Sequence, residues 1–386
     1  MRSKIKIIRT STIALSLDVL LKGQLKFLNE NFDVVAISGK DNHLEKIEKR
    51  EGVKTINVSM SRPIHLIKDL ISLYKLYLVF KKEKPTIVHS ITPKAGLLSM
   101  TAGYFSSVPI RIHTFTGLIF PHKKGLFQKL LILMDKILCF FATHVYPEGK
   151  GVKNDLLKFK ITKKPLKVIA NGNVNGIDTE YFSQSNISVN QREDLKQILN
   201  IKPSDFVFTF VGRVVKDKGI NELISSFKKI NNQNKNVKLI LVGQLEQNLD
   251  PILPETGKFI ENEKSVISVG YQEDIRHYLA ITDVFVFPSY REGFPNVVLQ
   301  AGAMDLPIIA TNISGSNEII EHKENGILIN KKDEDSLYKA MKQMINNNDL
   351  RTKLSHNARE IIVQNYKQDI VWSALLDEYN SILNKI

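Results

Sequence analysis

The chain alternates short apolar runs, rich in β-branched residues, with longer stretches whose apolar positions recur at helical spacing. Short apolar runs bounded by turn residues read as strands buried on both faces, and the longer stretches as helices that cover them. In the first half this predicts strands at 5–8, 33–37, 55–58, 87–89, 110–114, 144–146 and 168–170, with amphipathic stretches such as 15–29 and 94–105 between them. The pattern breaks at Asn171-Gly172-Asn173-Val174-Asn175-Gly176, which is turn chemistry, and a mostly polar stretch follows at 183–190. A fresh cycle starts at 206–211, with further strands at 237–242, 266–269, 284–287, 307–310 and 326–329. Repeated strand–helix alternation predicts parallel sheets with helices on both faces. The fold class is therefore α/β: two doubly wound, Rossmann-like domains, 1–175 and 190–366, with a hinge between about 171 and 195. The final segment, 367–386, is helical, with Val371, Leu375, Leu376, Tyr379 and Leu383 on one face. It either finishes the second domain or crosses back to the first. Ligands of such sheets bind at the carboxyl ends of strands, so two facing domains would frame a cleft.

Composition adds compartment and charge to this picture. At 386 residues and 43% hydrophobic, the chain is long enough for two cored domains, which excludes disorder, collagen and coiled coil as the main architecture. Cys139 is the only cysteine, which leaves no internal disulfide and no cysteine metal cage and fits a reducing compartment. The net charge of +14 is uneven. Residues 1–190 carry 30 Lys and Arg against 14 Asp and Glu, or +16, whereas residues 191–386 carry 24 against 26, or −2. Such a surplus suits an anionic partner or, more plainly, solubility. Nucleic acid is not expected, because the positive half has no recognisable motif and no interleaved aromatic–basic platform.

The first residues, basic and then apolar, could pass for a signal peptide. Asp18 interrupts the run and no small-residue cleavage site follows, so a strand entering a helix explains them better. No uncharged apolar run is long enough to span a bilayer. Residues 126–145, preceded by His122-Lys123-Lys124, carry Leu130, Leu131, Leu133, Met134, Ile137, Leu138, Phe140 and Phe141 around most of a helix. A helix packed into a domain core is the first expectation, and a helix lying in a membrane surface is the second. The stretch 62–84 has a similar mix, where a surface helix on a sheet is expected first.

Two loops carry candidate chemistry. In Phe210-Val211-Gly212-Arg213-Val214-Val215-Lys216-Asp217-Lys218-Gly219 a buried strand ends at glycine, cations follow, and a helix starts near Gly219. Helix N-terminal N–H groups favour an anion, Arg213 adds a forked donor and Lys218 a mobile charge, which together suit a diphosphate. The Walker and dinucleotide glycine spacings are missing. In the second loop, a strand at 285–287 enters Pro288-Ser289-Tyr290-Arg291-Glu292-Gly293-Phe294-Pro295-Asn296 and then a helix containing Gln300. Glu292 beside free backbone amides can accept hydrogen bonds from sugar hydroxyls while the amides hold a phosphate or sugar oxygen. Each loop taken alone also reads as an ordinary helix start.

Together the two loops resemble those of glycosyltransferase family 4. Val269-Gly270-Tyr271-Gln272, Gly315-Ser316-Asn317-Glu318 and Asn325-Gly326-Ile327 add to the likeness, which covers nearly the whole second domain. The first domain matches loosely, through Arg111-Ile112-His113-Thr114-Phe115-Thr116-Gly117 and Asn175-Gly176-Ile177-Asp178. The resemblance implies a GT-B fold and retaining, metal-independent transfer from a nucleotide sugar, with a UDP-sugar favoured and no cofactor. It implies that Gly212, Arg213 and Lys218 hold the donor diphosphate and that Glu292 meets the donor sugar. It further implies that the amides of Gly293, Phe294, Pro295 and Asn296 lie near the sugar and β-phosphate, and that Tyr271 and Gln272 meet the base.

Several positions depart from the family pattern. Gln300 stands where a second Glu is usual, keeping hydrogen bonds but losing charge. Thr116 stands where a His is usual, with His113 three residues earlier, so Thr116 or His113 could face the sugar, and His113 equally reads as a satisfied strand histidine. Arg9-Thr10-Ser11-Thr12 replaces a usual Gly-Gly. Asp333-Glu334-Asp335 looks like a metal-binding triplet but opens a helix, and the spacing of His89, His113 and His144 fits no zinc motif. The expected acceptor is a polyprenyl-diphosphate-linked glycan bound by the first domain, as in capsule or O-antigen assembly. The protein is expected in the cytoplasm, on the inner face of an anionic cell membrane. The alternatives are a nucleotide-sugar 2-epimerase of the same plan and a non-catalytic donor-binding subunit.

Overall fold

The computed structural model describes residues 4–246, 248 and 250–385. The chain divides into two compact units, 1–176 with 369–386, and 177–368. The first holds a six-stranded parallel sheet made of β1 (Lys6–Ile13), β2 (Asp33–Gly39), β3 (Lys54–Asn57), β4 (Ile87–Ser90), β5 (Ile110–Phe115) and β6 (His144–Pro147). Its spatial order is β3-β2-β1-β4-β5-β6. The second holds β7 (Phe206–Val211), β8 (Val237–Val242), β9 (Val266–Gly270), β10 (Val284–Phe287), β11 (Ile308–Thr311) and β12 (Gly326–Ile329), in the order β12-β11-β10-β7-β8-β9. Every strand pair is parallel. Both sheets are of the doubly wound kind, and the order reverses between β1 and β4 in one and between β7 and β10 in the other.

The strands form where uninterrupted apolar runs can be buried on both faces: all four residues of β10, β11 and β4 are buried. Three expectations change. Residues 168–170 form no strand; only Leu166 bridges to Val145, and Ala170 takes φ 49° as the chain enters the turns at 171–176. The stretch 15–29 folds as two helices, Ala14–Leu20 and Gln24–Asn31, because the chain turns at Gly23 beneath the Trp372 ring. Asp18 is buried in the first of these and pairs with Arg50 and with His43 at 2.6 Å, so it is an anchor within an apolar helix.

The helix Gly125–Phe141 is not packed into a core along its length. Only Leu138 and Cys139 are buried, and the stripe of Leu126, Phe127, Leu130, Leu133, Ile137 and Phe140 is exposed. The helix Leu66–Glu83 likewise buries Ser72, Leu76 and Phe80 and exposes Leu66, Ile67, Leu70, Ile71, Tyr74 and Leu78. These two helices flank Pro93–Phe105. The last helix, Gln368–Leu383, adds Leu375, Tyr379 and Ile382 to the core that also holds Ile7, Val34 and Ile112. Asp333 caps the helix Glu334–Asn346, its carboxylate accepting from the Ser336 amide at 2.9 Å. Among the described residues no helix is long and apolar enough to cross a membrane.

Candidate active site

In the second unit β7 and β10 are neighbours, and the loops that leave their carboxyl ends carry the two motifs. After β7 the chain makes a tight turn at Lys216–Lys218, and Gly219, at φ 73°, opens the helix Ile220–Gln233. A Cβ on residue 219 would stand 2.1 Å from the Pro288 carbonyl oxygen, so glycine is what lets the two loops touch. The contact is fixed further: the Tyr290 amide donates to the Asp217 carbonyl at 2.8 Å and the Arg291 guanidinium pairs with the Asp217 carboxylate at 2.7 Å. The consequence is that Lys218 meets Glu292, 74 positions away in the sequence, in an ion pair whose two side chains are each 16% exposed. The Lys218 ammonium also lies 5.5 Å from the centre of the Phe287 ring.

The other predicted residues are placed differently. Arg213 is half-exposed and pairs with Glu246 at 3.0 Å. Gly212 follows β7, Gly243 follows β8 and Gly270 ends β9; the Gly243 amide donates to the Gly270 carbonyl and the Gly212 amide to the Val242 carbonyl. A Cβ on residue 243 would fall 1.8 Å from the Gly212 carbonyl oxygen, so this edge of the sheet is bare backbone. Gly243 escaped the sequence reading, although it follows a buried strand just as Gly212 does. Tyr271 is exposed, and the Gln272 amide donates back to the Val269 carbonyl at 2.8 Å.

Around Glu292, Phe294 is an anchor whose ring is buried against Tyr366 at 5.6 Å, so that residue can face a ligand only through its backbone. Pro295 precedes the helix Asn296–Ala303, and Gln300 lies in its second turn, half-buried, with no side-chain hydrogen bond among the described residues. Beneath the loop, the Gly293 carbonyl crosses close to Gly315, and the next hydroxyl, on Ser316, is buried without a partner. Asp217, Gly243 and Ser316 are thus structural parts of the site that single-residue reading did not bring out. Tyr290 donates to Glu222 at 2.6 Å, and burial with that carboxylate pushes its phenol well up. The site therefore offers the Lys218–Glu292 pair and glycine-lined backbone within one loop pair, which suits a ligand bearing both phosphate and hydroxyls.

The first-unit candidates are less exposed than expected. His113 on β5 is fully buried; its Nδ1 lies 2.8 Å from the Ser90 hydroxyl and its ring stands edge-on to Phe115. Burial pushes its pKa down to about 3, so the ring is neutral. That corrects the reading of His113 as a sugar-facing residue: it is a strand histidine. The Thr116 hydroxyl, half-buried, donates to the Ile91 carbonyl at 3.0 Å. Arg9 to Thr12 do not form a loop but continue β1; Arg9 is buried and donates to Gln24 at 2.9 Å and Tyr379 at 3.2 Å. His89 completes that network through Tyr379 and Thr114. Among the described residues no group of three His, Cys, Asp or Glu could hold a metal ion.

A fold of two doubly wound sheets, one with a Lys–Glu pair at its switch point, defines a class that comparison with known proteins makes specific. Residues 191–361 match the model of glycosyl transferases group 1, and residues 24–180 match that of glycosyltransferase family 4. The chain is 35% identical over 382 residues to the capsular polysaccharide biosynthesis glycosyltransferase CapM of Staphylococcus aureus, covering 98% of each chain. It is 31% identical to an Escherichia coli protein described as UDP-Gal:alpha-D-GlcNAc-diphosphoundecaprenol alpha-1,3-galactosyltransferase, over 88% of this chain and 86% of that one. The Anabaena HepE structure in complex with UDP-glucose shares the fold at a TM-score of 0.83 and 18% identity, over 98% of this chain and all of that one. The chain belongs to glycosyltransferase family 4 and is a glycosyltransferase of GT-B fold.

Proposed function

We propose that this enzyme moves a sugar from a UDP-sugar to a polyprenyl-diphosphate-linked glycan, with retention and without a metal, in the assembly of a capsule-type polysaccharide. The observation that carries the reading is the Lys218–Glu292 pair at the switch point of the second sheet. As the glycosyl–phosphate bond breaks, positive charge develops at the anomeric carbon and negative charge on the leaving diphosphate. A preorganised cation lowers that barrier without having to reorganise at the moment of reaction. Lys218 is held by Glu292 before the donor arrives, and the incoming diphosphate takes over part of that contact while Glu292 turns to the sugar hydroxyls. Arg213, half-exposed beyond the bare glycine edge, swings from Glu246 to the phosphates. The leaving phosphate itself assists deprotonation of the acceptor hydroxyl on the same face.

The acceptor's lipid character is supported by the 35% relative named for capsule biosynthesis and the 31% relative named for a diphosphoundecaprenol substrate. The exposed apolar stripes of Leu66–Glu83 and Gly125–Phe141, set among the surplus lysines of the first unit, suit a membrane surface. The enzyme would then work in the cytoplasm, on the inner face of the membrane. The deciding experiment offers UDP-sugars with and without a lipid-diphosphate-linked sugar and follows UDP release and the product linkage by NMR, in EDTA. Acceptor-dependent UDP release with the donor's anomeric configuration retained is expected. Inverted product, or activity restored only by a divalent ion, overturns the mechanism; acceptor-independent epimerisation overturns the transferase reading.

A further inference from the structure

A cavity lies wholly within the first unit, at the switch point of its own sheet. Thr12 and Ile13 at the end of β1, Thr92 just past β4, and Gly117 just past β5 form its floor. This is where doubly wound sheets bind ligands. Its volume is about 380 Å³, within the usual span of small-ligand pockets. The walls are aliphatic, built mainly by Ile64, Leu97, Leu118, Leu131 and Met134. The helix Gly125–Phe141 supplies the last two, so the pocket opens among the same elements that carry the exposed apolar stripes.

The polar groups in it sort into those already used and those still free. The Thr12 and Thr92 hydroxyls bond each other at 2.8 Å. Lys94 is buried and pinned to both Asp69 carboxylate oxygens at 2.8 Å and to the Pro63 carbonyl, which fixes residues 62–69 over the cavity. Arg62, at the rim, makes no ion pair or hydrogen bond among the described residues. Asp135 is half-buried inside, also without a partner among the described residues, and burial pushes its carboxyl up to about 7. A sugar ring would bring a belt of hydroxyls here, and each one left unpaired in an apolar cavity is unfavourable. The one aromatic side chain of the lining, Phe120, is fully buried and offers no face for a sugar to stack on.

We infer that this cavity takes the lipid end of the acceptor: the isoprenoid units next to the diphosphate lie along the aliphatic walls, and Arg62 at the rim holds the diphosphate. The inference rests on the lipid-linked acceptor proposed above and assigns it a place and a cation. An apolar chain ending in an anion matches an apolar cavity with a free guanidinium at its mouth.

Farnesyl diphosphate is a water-soluble probe for the test, by calorimetry on the whole chain with pyrophosphate and farnesol as controls and UDP added to fill the donor site. Farnesyl diphosphate is expected to bind in the presence of UDP, at least tenfold more tightly than either control. Arg62→Ala, and separately Met134→Trp to fill the cavity, are each expected to weaken it tenfold or more while leaving UDP binding unchanged, which also reports that the variants fold. Competition by UDP, equal affinity for farnesol, or full affinity in both variants overturns the assignment. Because binding is read without turnover, the two readings fail separately. A chain that binds the probe but transfers nothing sinks the transferase reading. One that transfers to lipid-linked acceptor with an unchanged KM in Arg62→Ala sinks only this one.

Discussion

Lys218 and Glu292 illustrate how a site can be legible in residues yet not in their meeting. Each sits in a loop whose chemistry the sequence displays, but only the adjacency of β7 and β10 joins them. Replacing Lys218 by Met, or Glu292 by Gln, is expected to lower kcat/KM by about 100- to 1,000-fold, the cost of losing one preorganised charge contact at a transition state. Both variants should melt close to wild type, and a loss under tenfold in each would remove the pair from the chemistry. Gly219→Ala is a backbone test of the same contact. Its Cβ would collide with Pro288 and its φ is left-handed, so a destabilisation of about 2 kcal/mol or more is expected, measured by urea unfolding. His113 had two readings, sugar-facing or a strand histidine, and its place near the end of β5 did not choose between them; the structure does, since Ser90 and Phe115 enclose it. Its ordinary pKa is 6.5 and its buried one about 3, so within that window the unfolded chain binds a proton that the folded chain does not. Stability is therefore complete above the upper value and drains as pH falls, by about 1.4 kcal/mol per pH unit for one such group. Unfolding of His113→Gln between about pH 6 and 4 should show a shallower slope than wild type; parallel slopes would mean that His113 takes up its proton while folded.

At the level of elements, the buried strands were the most readable features, because parallel strands covered on both faces are nearly pure apolar runs. Residues 168–170 have the same local look and form no strand, because they enter the turns at Ala170 and find no ladder. The helix Gly125–Phe141 was harder for the opposite reason. Its composition fits a core, but composition does not say whether a neighbour covers each face, and here Leu130, Leu133, Ile137 and Phe140 stay exposed. The exposed stripe of Leu66–Glu83 gives the same lesson and a test. Ile67→Glu, Leu70→Glu and Tyr74→Glu together should abolish flotation with anionic vesicles at low salt while UDP binding stays at wild-type strength. Flotation that survives the triple change would place the membrane contact elsewhere on the chain.

Across the whole molecule, the charge asymmetry follows the division into units. The surplus of Lys and Arg belongs to the first 190 residues, whereas in the second-unit loops Arg213 is paired with Glu246 and Lys218 with Glu292. The glycosyltransferase class was legible because its second-unit loops are contiguous in sequence; the cavity proposed for the acceptor's lipid was not, since it draws on Thr12, Arg62, Thr92, Gly117 and Asp135 from five separate segments.

The return of the last helix to the first unit has a consequence for how the protein is made. Tyr379 closes the buried network around Arg9 and His89, and Trp372 seats on Gly23, so the first unit synthesised is the last to be completed. Residues 177–368 are one uninterrupted segment and can mature as soon as they leave the ribosome, whereas the N-terminal sheet must wait for the helix Gln368–Leu383 with Ile7, Val34 and Ile112 incompletely covered. A chain stopped after Gln368 is therefore expected to keep UDP binding while its first unit becomes protease-sensitive, as limited proteolysis with mass spectrometry would show; equal resistance of both units would mean that the helix only decorates the sheet. A nonsense codon just after Gln368 would therefore strip the first-unit sheet of its last cover while leaving residues 177–368 whole.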